Sequence, residues 1–261
     1  MRIQRCFGLG LMDQIKAVLF DLGETLLSFG KFSKTRLILQ GARSSYDYLR
    51  EQDQPVGSFA GYFLRYLVRL RVRYFLAEFR GKDFDSLALL QRIGRREGID
   101  LPREQWEEVI WRWYEPLSVL AETEPDLHET LARLKRAGLK LGIVSNTFVS
   151  RASLDRQLEG LGLLDFFPMR LYSYELAMRK PDPRLFRIAS EQIGEAPARI
   201  LFIGDRVDMD VRPALDCGMA AALKDARTNR GKPTPVGAHR IRHLSELPAL
   251  IERINSQPKA G

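Results

Sequence analysis

A doubly wound α/β fold, with a parallel sheet interrupted by an all-helical insertion, is what three features of this sequence predict. Short, almost unbroken apolar runs recur along the chain, as expected of strands buried on both faces. Amphipathic helical stretches alternate with them, which implies crossover connections and a parallel sheet. One block, from about residue 29 to residue 125, shows helical spacing and no convincing strand.

The elements follow in chain order. "KAVLFD" over 16–21 reads as the first strand. The block after it holds the arginine-rich "LRYLVRLRVRYFLAEFRGK", then "LALLQRIGRREG" and "REQWEEVIWRWYEPL", all at helical spacing, between Gly30 and Pro125. In the last of these Trp106, Ile110 and Trp113 share one face, a packing pattern, while Trp111 and Tyr114 form a second face that could meet the core or a partner chain. "EPDLHETLARLKRAG" aligns Leu127, Leu131 and Leu134 and ends at Gly138, a residue suited to a C-terminal cap. "LKLGIVSN" over 139–146 is the second strand, and "DPRLFRIASEQIG" is a helix with Leu185, Phe186, Ile188, Ala189 and Ile193 inward, ending at Gly194. "ARILFIGD" over 198–205 and a weaker "MAAAL" over 219–223 are further strands. A Gly/Pro-rich loop, "TNRGKPTPVGAHR", precedes a last short strand and the helix "SELPALIERI".

These readings divide the chain into a core domain of residues 1–28 and 126–261 and a helical domain of residues 29–125. Residues 1–14 are expected to be a disordered extension, with Met12 as an alternative start. An insertion directly after the first strand hangs over the carboxyl ends of the strands, where open α/β sheets place their ligands.

Composition narrows the class. Of 261 residues 45% are apolar and 28% charged, ordinary for a soluble globular chain. Cys6 and Cys217 match no metal-ligand spacing, which argues against a disulfide framework or a zinc site and suits a cytoplasmic location. No signal peptide is read at the start, and no window approaches the roughly 18 apolar residues of a membrane span. The net charge of +8 concentrates in Arg65, Arg69, Arg71, Arg73, Arg80 and Lys82, opposed only by Glu78. Without a nucleic-acid module, that segment reads as a solvated helix face, partly lining an entrance for an anionic substrate. His128, His239 and His243 follow no nucleophile elbow, so a Ser–His–Asp triad is not supported.

The chemistry lies at the strand ends. Asp21 closes the first strand, Ser145 and Asn146 the second, and Asp205 the third, with Asp208 and Asp210 just beyond. In a parallel sheet these tips converge on one edge, and converging carboxylates repel unless a cation or a shared proton relieves them. Helix N-capping is the structural alternative for any one of these acids. Lys180, held in a loop by Pro181 and Pro183 in "MRKPDPRLF", would supply a fixed ammonium.

"VLFDLGETLL", "IVSNT", "RKPDPRLF" and "ILFIGDRVDMDVRPALDCGM" resemble, in order, the four motifs of the haloacid dehalogenase superfamily of Mg²⁺-dependent phosphohydrolases. The helical block resembles the inserted cap of its dehalogenase-like and phosphoglycolate-phosphatase-like branch, on a Rossmann-like core. The resemblance implies that Asp21 is a nucleophile forming an aspartyl-phosphate, with Thr25 supporting its loop. It implies that Ser145, the Asn146 main chain and Lys180 bind phosphate, and that Asp21, the Gly23 carbonyl, Asp205 and Asp210 bind Mg²⁺, Asp210 ahead of Asp208. Most phosphatases of this family carry a second Asp where Gly23 stands, protonating the leaving group, and Glu24 is the nearest carboxylate. Loss of such acid–base help slows turnover by roughly 10² to 10⁴-fold. The expected function is a slow Mg²⁺-dependent phosphohydrolase of a small phosphorylated metabolite, as monomer or homodimer, with no nucleic acid or membrane partner. Two alternatives stand beside it: an impaired relative that binds a phosphorylated ligand or a protein, and a metal-free haloacid dehalogenase.

Overall fold

The computed structural model describes residues 14–256, and the side chain of Glu78 is not among its described parts. The expected extension over 1–14 therefore lies outside the described residues, Gln14 excepted. Six parallel strands form the sheet: β1 (Ala17–Phe20), β2 (Lys140–Ser145), β3 (Met169–Tyr172), β4 (Ile200–Gly204), β5 (Ala220–Lys224) and β6 (His239–Ile241), in the spatial order β3-β2-β1-β4-β5-β6. β1 is central and wholly buried, pairing with β2 and β4 in registers that set Phe20 level with both Ile143 and Ile203. The strand tips therefore end side by side.

Nine α-helices accompany the sheet among the described residues. Four fall between β1 and β2: α1 (Lys34–Glu51), α2 (Phe59–Arg80), α3 (Ser86–Arg95) and α4 (Arg103–Ser118). α5 (Leu127–Arg136), α6 (Arg151–Gly160), α7 (Pro183–Ile193), a short α8 (Arg212–Asp216) and α9 (Leu247–Ser256) follow. Ser33, Ser58 and Asp85 cap α1, α2 and α3 by accepting main-chain N–H bonds, which fixes where those helices start. Gly194 ends α7 in the left-handed conformation, and Gly138 takes the same conformation just past α5, as read from sequence.

Two apolar clusters sandwich the sheet. Leu127, Leu131 and Leu134 of α5 pack with Val18, Phe20 and Ile143 on one face, while Leu185, Phe186, Ala189 and Ile193 of α7 pack with Leu19, Val144 and Phe202 on the other. A third cluster, with Trp106, Ile110, Tyr62 and Tyr66, belongs to α1–α4. Trp111 and Tyr114 face the core: Arg156 of α6 sits over the Trp111 ring at 4.2 Å and the Tyr114 hydroxyl donates to Gln157 at 2.6 Å. The helical block leaves and rejoins the core at one point, where Ser28 and Glu122 exchange N–H···O bonds of 2.9 Å.

Several elements were not read in sequence. β3 was missed because Arg170 interrupts its short apolar run; as an edge strand it tolerates that residue, whose guanidinium pairs with Asp155. α1, α6 and α8 were not singled out. β6 starts inside the stretch read as a loop. The arginine-rich face is not simply solvated: Arg65 and Arg69 pair with Glu97, and an apolar row of Leu64, Val68, Val72, Phe75 and Phe79 is exposed along the same helix. No described helix is long and apolar enough to cross a membrane.

Candidate active site

Asp21 follows β1 directly and its N–H donates to Ile203 O at 2.8 Å, so the tip of β1 is tied to β4. Asp205 follows β4 in the same way, and a π-helical turn over Val207–Val211 returns Asp210 to the same place, where its carboxylate accepts the Arg206 N–H at 2.9 Å. Gly204 is required for that return. A Cβ there would stand 2.3 Å from the Cβ of Asp210.

Asp21, Asp205 and Asp210 are all buried, and one carboxylate oxygen from each lies within 4.8 Å of the others. Lys180 is buried with them. Its Nζ donates to Asp21 Oδ1 at 2.6 Å and to Val144 O at 3.0 Å, and Asp210 Oδ1 lies 2.6 Å away without the alignment of a hydrogen bond. Thr25 Oγ1 stands between the acids, 3.5 Å from both Asp21 Oδ2 and Asp205 Oδ1. None of the three acids caps a helix, which removes the structural alternative for them.

The electrostatics are unbalanced toward negative charge. Burial raises the Asp21 carboxyl above its ordinary range against the opposing pull of Lys180. Burial likewise raises Asp205, and pushes Asp210 up to about 6 with Lys180 opposing and Asp21 reinforcing. Burial alone would depress the Lys180 ammonium, but Asp21 and Asp210 outweigh it and hold that group above its usual value. Three buried acids around one cation leave charge uncompensated, and a hard divalent cation with oxygen ligands fits this donor set.

Ser145 is buried at the end of β2. The Asn146 side chain clamps the next loop, accepting the Lys180 N–H at 2.8 Å and donating to Lys180 O at 3.0 Å. Lys180 and Pro181 lie in a turn, and the peptide between them is cis. Asp208 is exposed and pairs with Arg206, away from the cluster. A Cβ at Gly23 would meet nothing within 4 Å. Glu24 has a left-handed φ of 57°, and its carboxylate is engaged by Arg227 at 3.2 Å and by the Phe29 N–H at 3.4 Å.

Two residues near the site were missed in the sequence. Thr228 Oγ1 donates to Asp205 Oδ2, and Asn229 Nδ2 donates to Asp205 O at 2.8 Å and to Lys224 O at 2.7 Å. They sit in and next to the first residues of a Gly/Pro-rich loop, and only the parallel pairing of β4 with β5 brings that loop to Asp205.

The sequence profile of haloacid dehalogenase-like hydrolases matches residues 15–218. The chain is a haloacid dehalogenase-like hydrolase. A glyceraldehyde 3-phosphate phosphatase from Methanopyrus kandleri is 27% identical over 218 residues, 84% of this chain and 85% of its own length. Among solved structures, a haloacid dehalogenase-type phosphatase from Thermococcus onnurineus superposes with a TM-score of 0.56 at 26% identity, covering 91% of this chain and 98% of its own. A 2-haloacid dehalogenase from Pseudomonas syringae has a TM-score of 0.62 at 23% identity, over 92% and 99% of the two chains, which is a likeness of fold. The family match carries hydrolysis for this chain, and the superpositions carry its Rossmann-like fold.

Proposed function

We propose that this hydrolase is a Mg²⁺-dependent phosphatase of a small phosphorylated metabolite, with residues 29–125 acting as a cap over the strand tips. The observation that carries this reading is the buried cluster of Asp21, Asp205 and Asp210 around Lys180. The phosphatase names of similar chains support it.

In this reading Asp21 attacks phosphorus through its carboxylate, an O–P bond forms, and the bond to the leaving alkoxide breaks. Water then attacks the aspartyl-phosphate and releases inorganic phosphate, regenerating Asp21. Lys180 holds the nucleophile in place through its 2.6 Å bond and balances negative charge on the transferred group. Ser145 donates its hydroxyl to a phosphate oxygen, with the Asn146 main-chain N–H as a second donor. Thr25 orients Asp21, and Thr228 orients Asp205. Mg²⁺, held by Asp21, Asp205, Asp210 and the Gly23 carbonyl, would supply positive charge against the phosphate and the acid cluster when bound.

No side chain at position 23 protonates the leaving group, and we assign that part to none of the neighbours, Glu24 being occupied by Arg227. Turnover is therefore slow for esters with poor leaving groups. That same vacancy favours the second reading, an impaired relative that retains phosphate binding. Dehalogenation is disfavoured because a carbon-attacking site has no need of Asp205 and Asp210.

The test is release of an aryl alcohol from an aryl phosphate, with Mg²⁺ and with chelator. Mg²⁺-dependent release supports the phosphatase. Silence in the native protein together with release by Gly23→Asp supports the impaired relative, and silence in both overturns the assignment.

A further inference from the structure

Away from the three acids of the cluster the structure holds a fourth buried carboxylate, Asp83, in the connector between α2 and α3. It is contributed by the helical insertion, yet two of its partners belong to the core. Ser173 Oγ, fully buried at the end of β3, donates to the Asp83 carboxylate, and Arg179 pairs with it at 3.5 Å.

Both partners lead to the candidate active site. Arg179 immediately precedes Lys180. Ser173 Oγ accepts the Thr147 N–H at 2.8 Å, two residues after Ser145, and Thr147 O stands 3.1 Å away as a competing acceptor for the single hydroxyl proton. An ionised carboxylate is the stronger acceptor of the two, so Asp83 draws that proton and leaves Ser173 Oγ oriented to receive Thr147 N–H. The Asn146 clamp on the Lys180 main chain ties the two core loops together next to this point. Phe84 stacks on Phe148 with centroids 5.2 Å apart and planes within 7°, and Tyr74 meets the same ring edge-on at 5.9 Å, so the insertion walls this junction with rings.

We propose that Asp83 is a positioning residue that latches the helical insertion shut over the site and, through Arg179 and Ser173, fixes the loops presenting Lys180 and Ser145. The proposal rests on the hydrolase reading for its catalytic consequence, but its physical content is the coupling of three segments: 81–86, 147–149 and 173–180. A buried, charge-assisted link of this kind should hold those segments closed by roughly 10- to 100-fold over a chain lacking it.

The experiment compares native protein, Asp83→Ala, Asp83→Asn and the surface control Asp47→Asn. Amide hydrogen exchange is read over the three segments, and kcat and KM are read for an aryl phosphate with Mg²⁺. Asp83→Ala should speed exchange in all three segments by roughly 10- to 100-fold while β1 and β4 keep native rates. Its kcat should fall and its KM rise, because Lys180 holds the nucleophile and both Lys180 and Ser145 hold the phosphate in the proposed function. Asp83→Asn, which keeps an acceptor for Ser173 but loses the charge, should lie between. Native exchange over 173–180 in Asp83→Ala, or an unchanged kcat at temperatures where that variant is folded, overturns the latch. If the native protein releases no aryl alcohol, the phosphatase reading loses its support and the exchange rates alone decide the latch. Should Asp83→Ala fail to fold, Arg179→Gln removes the other half of the ion pair and is measured in its place.

Discussion

Asp210 and Asp83 are both buried carboxylates that meet a cation, yet the chain builds them in opposite ways. Asp210 is six residues beyond Gly204, the last residue of β4, and a single π-helical turn with Gly204 at its root delivers it to Lys180. Asp83 reaches Ser173 across 90 residues, and only the docking of one folded unit on another brings them together. A group placed by its own strand needs only the strand. A group placed by tertiary contact depends on two units keeping their relative position, and it is the one that can report or control that position.

The largest expected effect tests the locally built cluster. Asp21→Asn should abolish turnover of any phosphate ester while thermal unfolding still responds to Mg²⁺; an active Asp21→Asn protein would remove the assigned nucleophile. Gly23→Asp should next raise turnover of an alkyl phosphate by roughly 10² to 10⁴-fold, since a Cβ at that position is unobstructed. An unchanged rate, with Mg²⁺ binding retained, would show that leaving-group protonation comes from elsewhere. Lys180→Met should then cost about 3–5 kcal/mol in denaturant unfolding of the metal-free protein, because Asp21 and Asp210 lose their buried partner.

A smaller effect concerns pH. The folded protein holds Asp21, Asp205 and Asp210 above their ordinary carboxylate range, Asp210 at about 6. A raised folded-state value favours the protonated form, so the stability these groups contribute is present at low pH and is lost as pH rises through about 6. Mg²⁺ should therefore stabilise the metal-free protein more at pH 7.5 than at pH 5.5, the stabilisation at pH 7.5 being about 2–3 kcal/mol at a hundredfold excess over Kd. Thermal midpoints with chelator and with Mg²⁺ at the two pH values measure the difference, and equal shifts would count against the three acids as its ligands. The smallest effect is the baseline: Asp47→Asn breaks an exposed i,i+4 pair with Arg43 and should change unfolding stability by only about 0.3–0.5 kcal/mol.

The same contrast explains what was legible in the sequence. The central strands read as apolar runs because β1, β2 and β4 are buried on both faces, and the acids at their tips stood out against those runs. The edge strand β3 did not, since an edge tolerates Arg170 within its pattern, and β6, read as a last short strand, begins two residues earlier than the loop reading allowed because His239 and Arg240 carry no apolar signal. Of the residues the motifs supplied, Asp21, Asp205, Asp210, Lys180 and Thr25 stand together, with Asp208 apart. Thr228, Asn229 and Asp83 carry no local signal. Each sits in a turn or connector of ordinary polar composition, and its partner is fixed by strand order or by docking of the insertion.

The Ser28–Glu122 bridge has a consequence for how such a chain can change. It joins positions 94 residues apart by adjacent main-chain bonds, so the core holds the two ends of the helical block at one fixed separation. Closing a loop twice as long costs only about 0.6 kcal/mol more. What lies between residues 28 and 122 is thus constrained by the distance between its ends and by the few side chains that touch the core, Asp83 on Ser173 and Tyr114 on Gln157, more than by its length. Helices that make neither contact can be lengthened or exchanged there over time with the sheet and its acids left in place.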